Sequence, residues 1–190
     1  MGIEIEKKYR LNGEEKECVR ARLREIGAEL RGADFEENTL YAGGNLDQTC
    51  VLRLRRTERQ ATLTFKKRFP SDAEIKHQRE DETGVEDADA LHEILLALGY
   101  RPALIYEKRR ETWRVGKAEV VVDELPFGAF VEIEGDEESI LQAEKELNLT
   151  SAEAEHATYP QLTEHYGARR GTVMEARFAP QADAEKGSAG

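Results

Sequence analysis

Charged side chains recur at a spacing of two on otherwise apolar stretches of this chain, and its chemistry starts from that pattern. Glu4, Glu6 and Lys8 alternate with Ile3 and Ile5, Arg53 and Arg55 with Leu52 and Leu54, and Thr62, Thr64 and Lys66 with Leu63 and Phe65. Glu80 and Glu82, Lys108 and Arg110, Asp123 at the end of A-E-V-V-V-D, and Glu132 and Glu134 beside Val131 and Ile133 complete the set. In a β-strand, residues two apart share a face, so each segment sets charge on one side and apolar groups on the other. One such strand is an ordinary solvated surface. Their recurrence predicts charged faces lining a shared interior.

Such an interior needs charge compensation, because like charges withdrawn from water are costly unless counter-ions or ligands share the space. Two carboxylates roughly 7 Å apart repel by about 2 kcal/mol at an effective dielectric constant of about 20. A divalent cation relieves that repulsion, and an oxygen-only donor set suits Mg²⁺ or Mn²⁺ better than zinc. The cations Lys8, Arg53, Arg55, Lys66, Lys108 and Arg110 have the opposite need. Their natural guest is a polyanion carrying several phosphates, gripped by forked guanidinium groups.

The elements that must position these groups are legible as periodicity. Strand-like segments run near Ile3–Leu11, Ala33–Ala42, Thr49–Thr57, Gln60–Phe69, Ile75–Val85, Arg101–Val115, Ala118–Asp123 and Ala129–Gly135. One helix is predicted from an Asn12 cap, with Glu15 three residues on, through Val19, Leu23 and Ile26 to Gly27. A second runs from the Asp87–Asp89 region through Leu91, Ile94, Leu95 and Leu98 to Gly99. The order β-α-β-β-β thus occurs twice. The predicted fold is α+β: a closed, eight-stranded, mainly antiparallel barrel with flanking helices, whose polar lumen must hold ions, water or ligand. Helical stretches follow at Asp136–Leu147 and from Tyr159 to Tyr166, and from Ala168 the composition reads as a disordered tail.

Taken in this order, the elements resemble the CYTH domain, or triphosphate tunnel metalloenzymes, which include class IV adenylyl cyclases and thiamine or inorganic triphosphatases. The resemblance rests on Glu4-x-Glu6-x-Lys8, Arg53-x-Arg55, Lys66, Glu80 and Glu82, Lys108-x-Arg110, Asp123, and Glu132-x-Glu134, and it covers roughly Gly2 to Gly167. Gln78 stands where relatives often carry an arginine, and the loop Ala42–Gln48 lacks the expected Asp-Thr-Pro type of turn. The resemblance implies a tunnel domain over residues 1–167, followed by the tail 168–190. It implies a metal site of Glu4, Glu6, Asp123, Glu132 and Glu134 for Mg²⁺ or Mn²⁺, and phosphate binding by Lys8, Arg53, Arg55, Lys66, Lys108 and Arg110. Lys8 would stabilise leaving-group charge, and Glu80 or Glu82 would orient water or a second ion. Tyr159 and its helix would close one end of the tunnel or merely pack on the barrel. The implied activity is metal-dependent triphosphate hydrolysis. The alternatives are cyclisation of ATP to cyclic AMP and pyrophosphate, and polyphosphate or nucleotide binding without turnover.

Other classes fit poorly. Of 190 residues, 39% are hydrophobic and 35% charged, enough for one domain with a core. A net charge of −11 argues against duplex nucleic acid as a partner. No apolar run approaches membrane-spanning length, and the charged start does not read as a signal peptide. Cys18 and Cys50 lack metal or redox spacing, which with the rest predicts a reduced, cytoplasmic protein acting on a small-molecule triphosphate, with a homodimer allowed. His77, His92, His156 and His165 show no paired-ligand spacing, Trp113 falls on the opposite phase from Lys108 and Arg110, and no inward aromatic is evident.

Overall fold

The computed structural model describes residues 5–68, 78–150 and 152–179. Glu4, His77, the first residues of the segments expected from Ile3 and Ile75, and the tail from residue 180 lie outside the described residues. The elements are β1 (Ile5–Leu11), α1 (Gly13–Glu25), β2 (Glu29–Gly43), β3 (Cys50–Thr57), β4 (Ala61–Arg68), β5 (Gln78–Val85), α2 (Ala88–Ala97), β6 (Tyr100–Val115), β7 (Ala118–Leu125), β8 (Gly128–Gly135), α3 (Glu137–Glu146), α4 (Tyr159–Tyr166), β9 (Ala168–Arg170) and β10 (Val173–Ala176). The twofold β-α-β-β-β order is therefore observed.

Local chemistry sets the helix ends. The Asn12 side chain accepts from the Glu15 amide at 2.9 Å while the Glu15 carboxylate accepts from the Asn12 amide at 2.7 Å, a reciprocal capping box at the start of α1. Asp87 caps α2 in the same sense, accepting from the amides of Asp89 and Ala90. Gly27 and Gly99 follow the two helices at φ +71° and +91°, a left-handed turn that disfavours residues with a Cβ.

The sheet runs in the order β1-β8-β7-β6-β2-β3-β4-β5 with antiparallel neighbours. It curls strongly. The Lys66 ammonium on β4 acts on the Glu6 carboxyl on β1, although five strands separate them in the sheet order. The expected hydrogen-bonded closure is not seen among the described residues, so the architecture is barrel-like only loosely. The second edge of β1 is already occupied: Glu155 donates its amide to the Lys8 carbonyl at 2.7 Å, and Ala154 bridges Tyr9.

The outer face of the sheet carries the core. Val19 and Leu23 of α1 and Ile140 and Ala143 of α3 pack with Tyr9, Trp113, Val120, Val122, Val131 and Ile133. Leu95 of α2 packs with Tyr41, Leu52 and Leu54. Trp113 thus lies on the outer face, as its phase predicts. A third cluster lies on the inner face and joins Leu104, Tyr106, Leu125 and Phe130 to Tyr159 and Leu162 of α4 and Ala176 of β10.

The stretch from Ala168 departs from the expected tail over its first residues. Strand β7 pairs only with Arg109–Val115 of β6, which leaves backbone at Leu104–Tyr106 for β10 to join in parallel, with β9 as its hairpin partner. Arg177 then pairs with Glu37 and with Glu107 at 2.8 Å, and the Arg109 guanidinium lies 4.0 Å from the Phe178 ring centroid. Composition hides strands this short. No helix among the described residues is long and apolar enough to cross a membrane.

Candidate functional site

Strand registers place the alternating charges on one inner face. Glu6 lies opposite Glu134 and Lys8 opposite Glu132. Arg110 lies opposite Asp123, Glu36 opposite Lys108, Arg53 opposite Thr64, and Lys66 opposite Glu80 with Thr64 opposite Glu82. Every sequence-predicted site residue within the described residues is on this face, including the β5 pair, whose phase is fixed by Lys66 Nζ at 2.9 Å from Glu80.

At one pole, carboxylate oxygens of Glu6, Glu132 and Glu134 lie within 4.8 Å of one another. Burial first, then Glu132 and Glu6 against only partial relief from Arg110, pushes the Glu134 carboxyl up to about 7. Glu6 is raised for the same reasons, burial and then Glu132. Three oxygens under mutual repulsion are what a hard divalent cation would stabilise, so the donor set fits Mg²⁺ or Mn²⁺. Lys8 is buried nearby, 3.9 Å from Glu132 and 4.6 Å from the Tyr159 ring centroid.

Asp123 does not join that pole. It is fully buried, and both its oxygens are taken: Arg110 Nε donates to Oδ1 at 2.7 Å, and Arg110 Nη2 and the Tyr159 hydroxyl donate to Oδ2 at 2.5 and 2.8 Å. Lys108 Nζ stands 3.4 Å from the same Oδ2. Burial alone would raise the Asp123 carboxyl, but Lys108 and Arg110 outweigh it and hold it well below the usual carboxylate range. Asp123, expected from the sequence as a metal ligand, here anchors Arg110, which also reaches Glu132 at 2.8 Å. Tyr159, whose role the sequence left open, is built into this wall.

The facing wall is cationic. Arg53 donates to Thr64 Oγ1 at 3.2 Å, while its buried Nε has no hydrogen-bond partner among the described residues. Arg55 donates through Nε to Asn38 Oδ1 at 3.2 Å. An unpartnered guanidinium N–H beside a second arginine is an opening for an anion.

Sequence reading missed Glu36, Asn38 and Tyr106. Glu36 and Asn38, on β2, are nearly inaccessible and contact Arg55 and Lys108. The signal was present, since Glu36-x-Asn38 has the same spacing, but only one of the pair is charged. Tyr106 shares the phase of Lys108 and Arg110, so an inward aromatic does exist, packed 6.3 Å from Tyr159. His92 meets the Tyr41 hydroxyl through Nδ1 at 2.6 Å. A surface cavity of about 500 Å³ along α3, lined by Glu138, Leu141, Gln142, Lys145 and Glu146, shares no residue with the site.

The inner face thus sets a three-carboxylate cluster against a row of lysines and arginines on an antiparallel sheet. The CYTH domain family model matches residues 2–160, and the chain belongs to that family. Among solved structures, a conserved hypothetical protein from Pyrococcus furiosus is 22% identical with a TM-score of 0.70, the match covering 84% of this chain and 99% of that one. A putative adenylate cyclase from Vibrio parahaemolyticus is 22% identical with a TM-score of 0.67, covering 83% and 95%. A putative adenylyl cyclase from Hippeastrum, described as having a dominant triphosphatase activity, is 18% identical with a TM-score of 0.64, covering 84% and 93%. At these identities the likeness is one of fold. No curated protein matches the chain.

Proposed function

We propose that this protein is a metal-dependent hydrolase of triphosphate-containing substrates. The observation that carries the reading is the meeting, on one inner face, of the three-carboxylate cluster Glu6, Glu132 and Glu134 with the cations Lys8, Arg53, Arg55, Lys66, Lys108 and Arg110. Glu4 extends the acidic set by its spacing. A bound Mg²⁺ or Mn²⁺ supplies charge neutralisation on the phosphate oxygens.

The chain's own groups do the rest. Arg53 and Arg55 bind and orient the phosphates, with Lys66 beside them. Arg110 and Lys108, held by Asp123, present fixed positive charge where it develops during phosphoryl transfer, which needs positioning and electrostatics more than a protein nucleophile. Lys8 faces the leaving group. Glu80 and Glu82 have side chains 34% and 50% exposed, so both are open to an incoming water.

The cyclase reading uses the same grip, and two observations keep it in view: the name of the Vibrio relative and the inward phase of Tyr106. Chromatographic product analysis with Mg²⁺ or Mn²⁺ and, separately, inorganic triphosphate, thiamine triphosphate and ATP decides between them. Orthophosphate release supports the hydrolase, cyclic AMP with pyrophosphate makes it a cyclase, and no turnover leaves a binding module.

A further inference from the structure

We propose that Glu36 is a positioning residue that tethers Arg55 and Lys108 from the strand between them, so that both meet the phosphate chain already oriented. The proposal rests on the triphosphate reading for its functional consequence, but its structural basis is separate from the carboxylate cluster.

Strand β2 lies between β3 and β6 in the sheet. Glu36 is opposite Lys108 on one neighbour, and Asn38 is opposite Arg55 on the other. A single oxygen, Glu36 Oε2, stands 3.2 Å from Arg55 Nε, 3.4 Å from Lys108 Nζ and 3.2 Å from Asn38 Nδ2. Asn38 completes the loop by accepting from the same Arg55 Nε through Oδ1. Glu36 is 3% exposed and Asn38 is inaccessible, so water does not compete for these contacts.

Burial works against the Glu36 carboxylate, yet Lys108, Arg55 and Arg110 outweigh it and hold it below its ordinary range. Glu36 is therefore an anion already satisfied by protein cations, unlike the strained Glu6–Glu132–Glu134 cluster. The tether uses only the Nε edge of Arg55. Its two terminal nitrogens have no hydrogen-bond partner among the described residues, which leaves the forked end for a phosphate. A guanidinium pinned along one edge loses less rotamer freedom when the anion arrives.

The test is Glu36→Gln, which keeps the shape and removes the charge. In metal-free, ligand-free protein, exchange of the Arg55 Nε–H is followed by nitrogen-15 NMR; it is slow in the wild type and accelerates in the variant. In turnover of inorganic triphosphate, kcat falls about 10- to 100-fold from misplacement of the two cations. KM does not rise, because the inner face gains net positive charge. Glu36→Asp withdraws the oxygen by one methylene and does not restore kcat. Equal Arg55 exchange in wild type and variant overturns the proposal, as does an unchanged kcat accompanied only by a lower melting temperature. A wild type that turns over no triphosphate counts against the hydrolase reading, and the Arg55 exchange comparison still decides for or against the tether.

Discussion

Replacing Asp123 by Asn separates two roles that the same residue type could have. In the structure Asp123 is a buried counter-charge with both oxygens occupied by Arg110, Tyr159 and Lys108. Removing one partner of a buried pair leaves uncompensated charge and costs about 3–5 kcal/mol. That is a large part of a typical domain stability of about 5–15 kcal/mol. For a chain of this size each kcal/mol moves the melting temperature by about 2–4 °C, so the metal-free variant is expected to melt about 6–20 °C lower. Urea unfolding at pH 7 in a chelator gives the free energy, and Mn²⁺ titration of the folded variant gives the stoichiometry. The account predicts severe loss of stability with metal stoichiometry retained. Metal-free stability equal to wild type with Mn²⁺ binding abolished would refute it and return Asp123 to the ligand set. Tyr159→Phe is the milder companion, removing one hydrogen bond to a charged acceptor at about 1.5–3 kcal/mol. The acid limb follows the same logic: a carboxyl held below its unfolded value of about 3.9 adds stability that is fully present above that pH, declines progressively as pH falls below it, and is gone once pH has passed through the folded value.

Three other outcomes are expected. Because Glu134 binds its proton up to about pH 7 in the metal-free protein and a ligand must be deprotonated, Mn²⁺ affinity should rise with pH through 7 and then level off. Calorimetry at pH 6, 7 and 8 in two buffers of different ionisation enthalpy checks this, and flat affinity with no proton release contradicts it. Arg53→Ala should weaken metal-free binding of inorganic triphosphate about 10- to 150-fold, the equivalent of about 1.5–3 kcal/mol for charge-assisted hydrogen bonds, as read by titration. Leu23→Ala, at an inaccessible position beneath α1, should cost about 2–5 kcal/mol in denaturant unfolding while leaving kcat per folded molecule unchanged.

The alternating strands were legible because a period of two is a local property. Asn12 and Asp87 announced their helices through cap chemistry that acts within three residues. What sequence could not supply was contact between strands. Asp123 shares the ligand spacing, and its hydrogen-bond partners Arg110 and Tyr159 lie 13 and 36 residues away along the chain, contacts that no local pattern announces. Glu36 carries one charge without a charged partner at spacing two, so nothing local distinguished it from a solvated residue. The hydrogen-bonded closure expected for the barrel is not seen among the described residues for a similar reason: the segment at Ala154–Glu155, more than a hundred residues along the chain, takes the free edge of β1 at Lys8 and Tyr9. Strands β9 and β10 were hidden by their length of three and four residues in a polar, glycine-containing stretch.

The central claim is that one inner face takes a divalent cation and a triphosphate together, and a crystal structure with Mn²⁺ and inorganic triphosphate tests it most directly. The account predicts anomalous manganese density bounded by Glu6, Glu132 and Glu134, with the phosphate chain running from it to Arg53 and Arg55. Manganese bound at Asp123, or a phosphate chain held only on the outer surface, would contradict it.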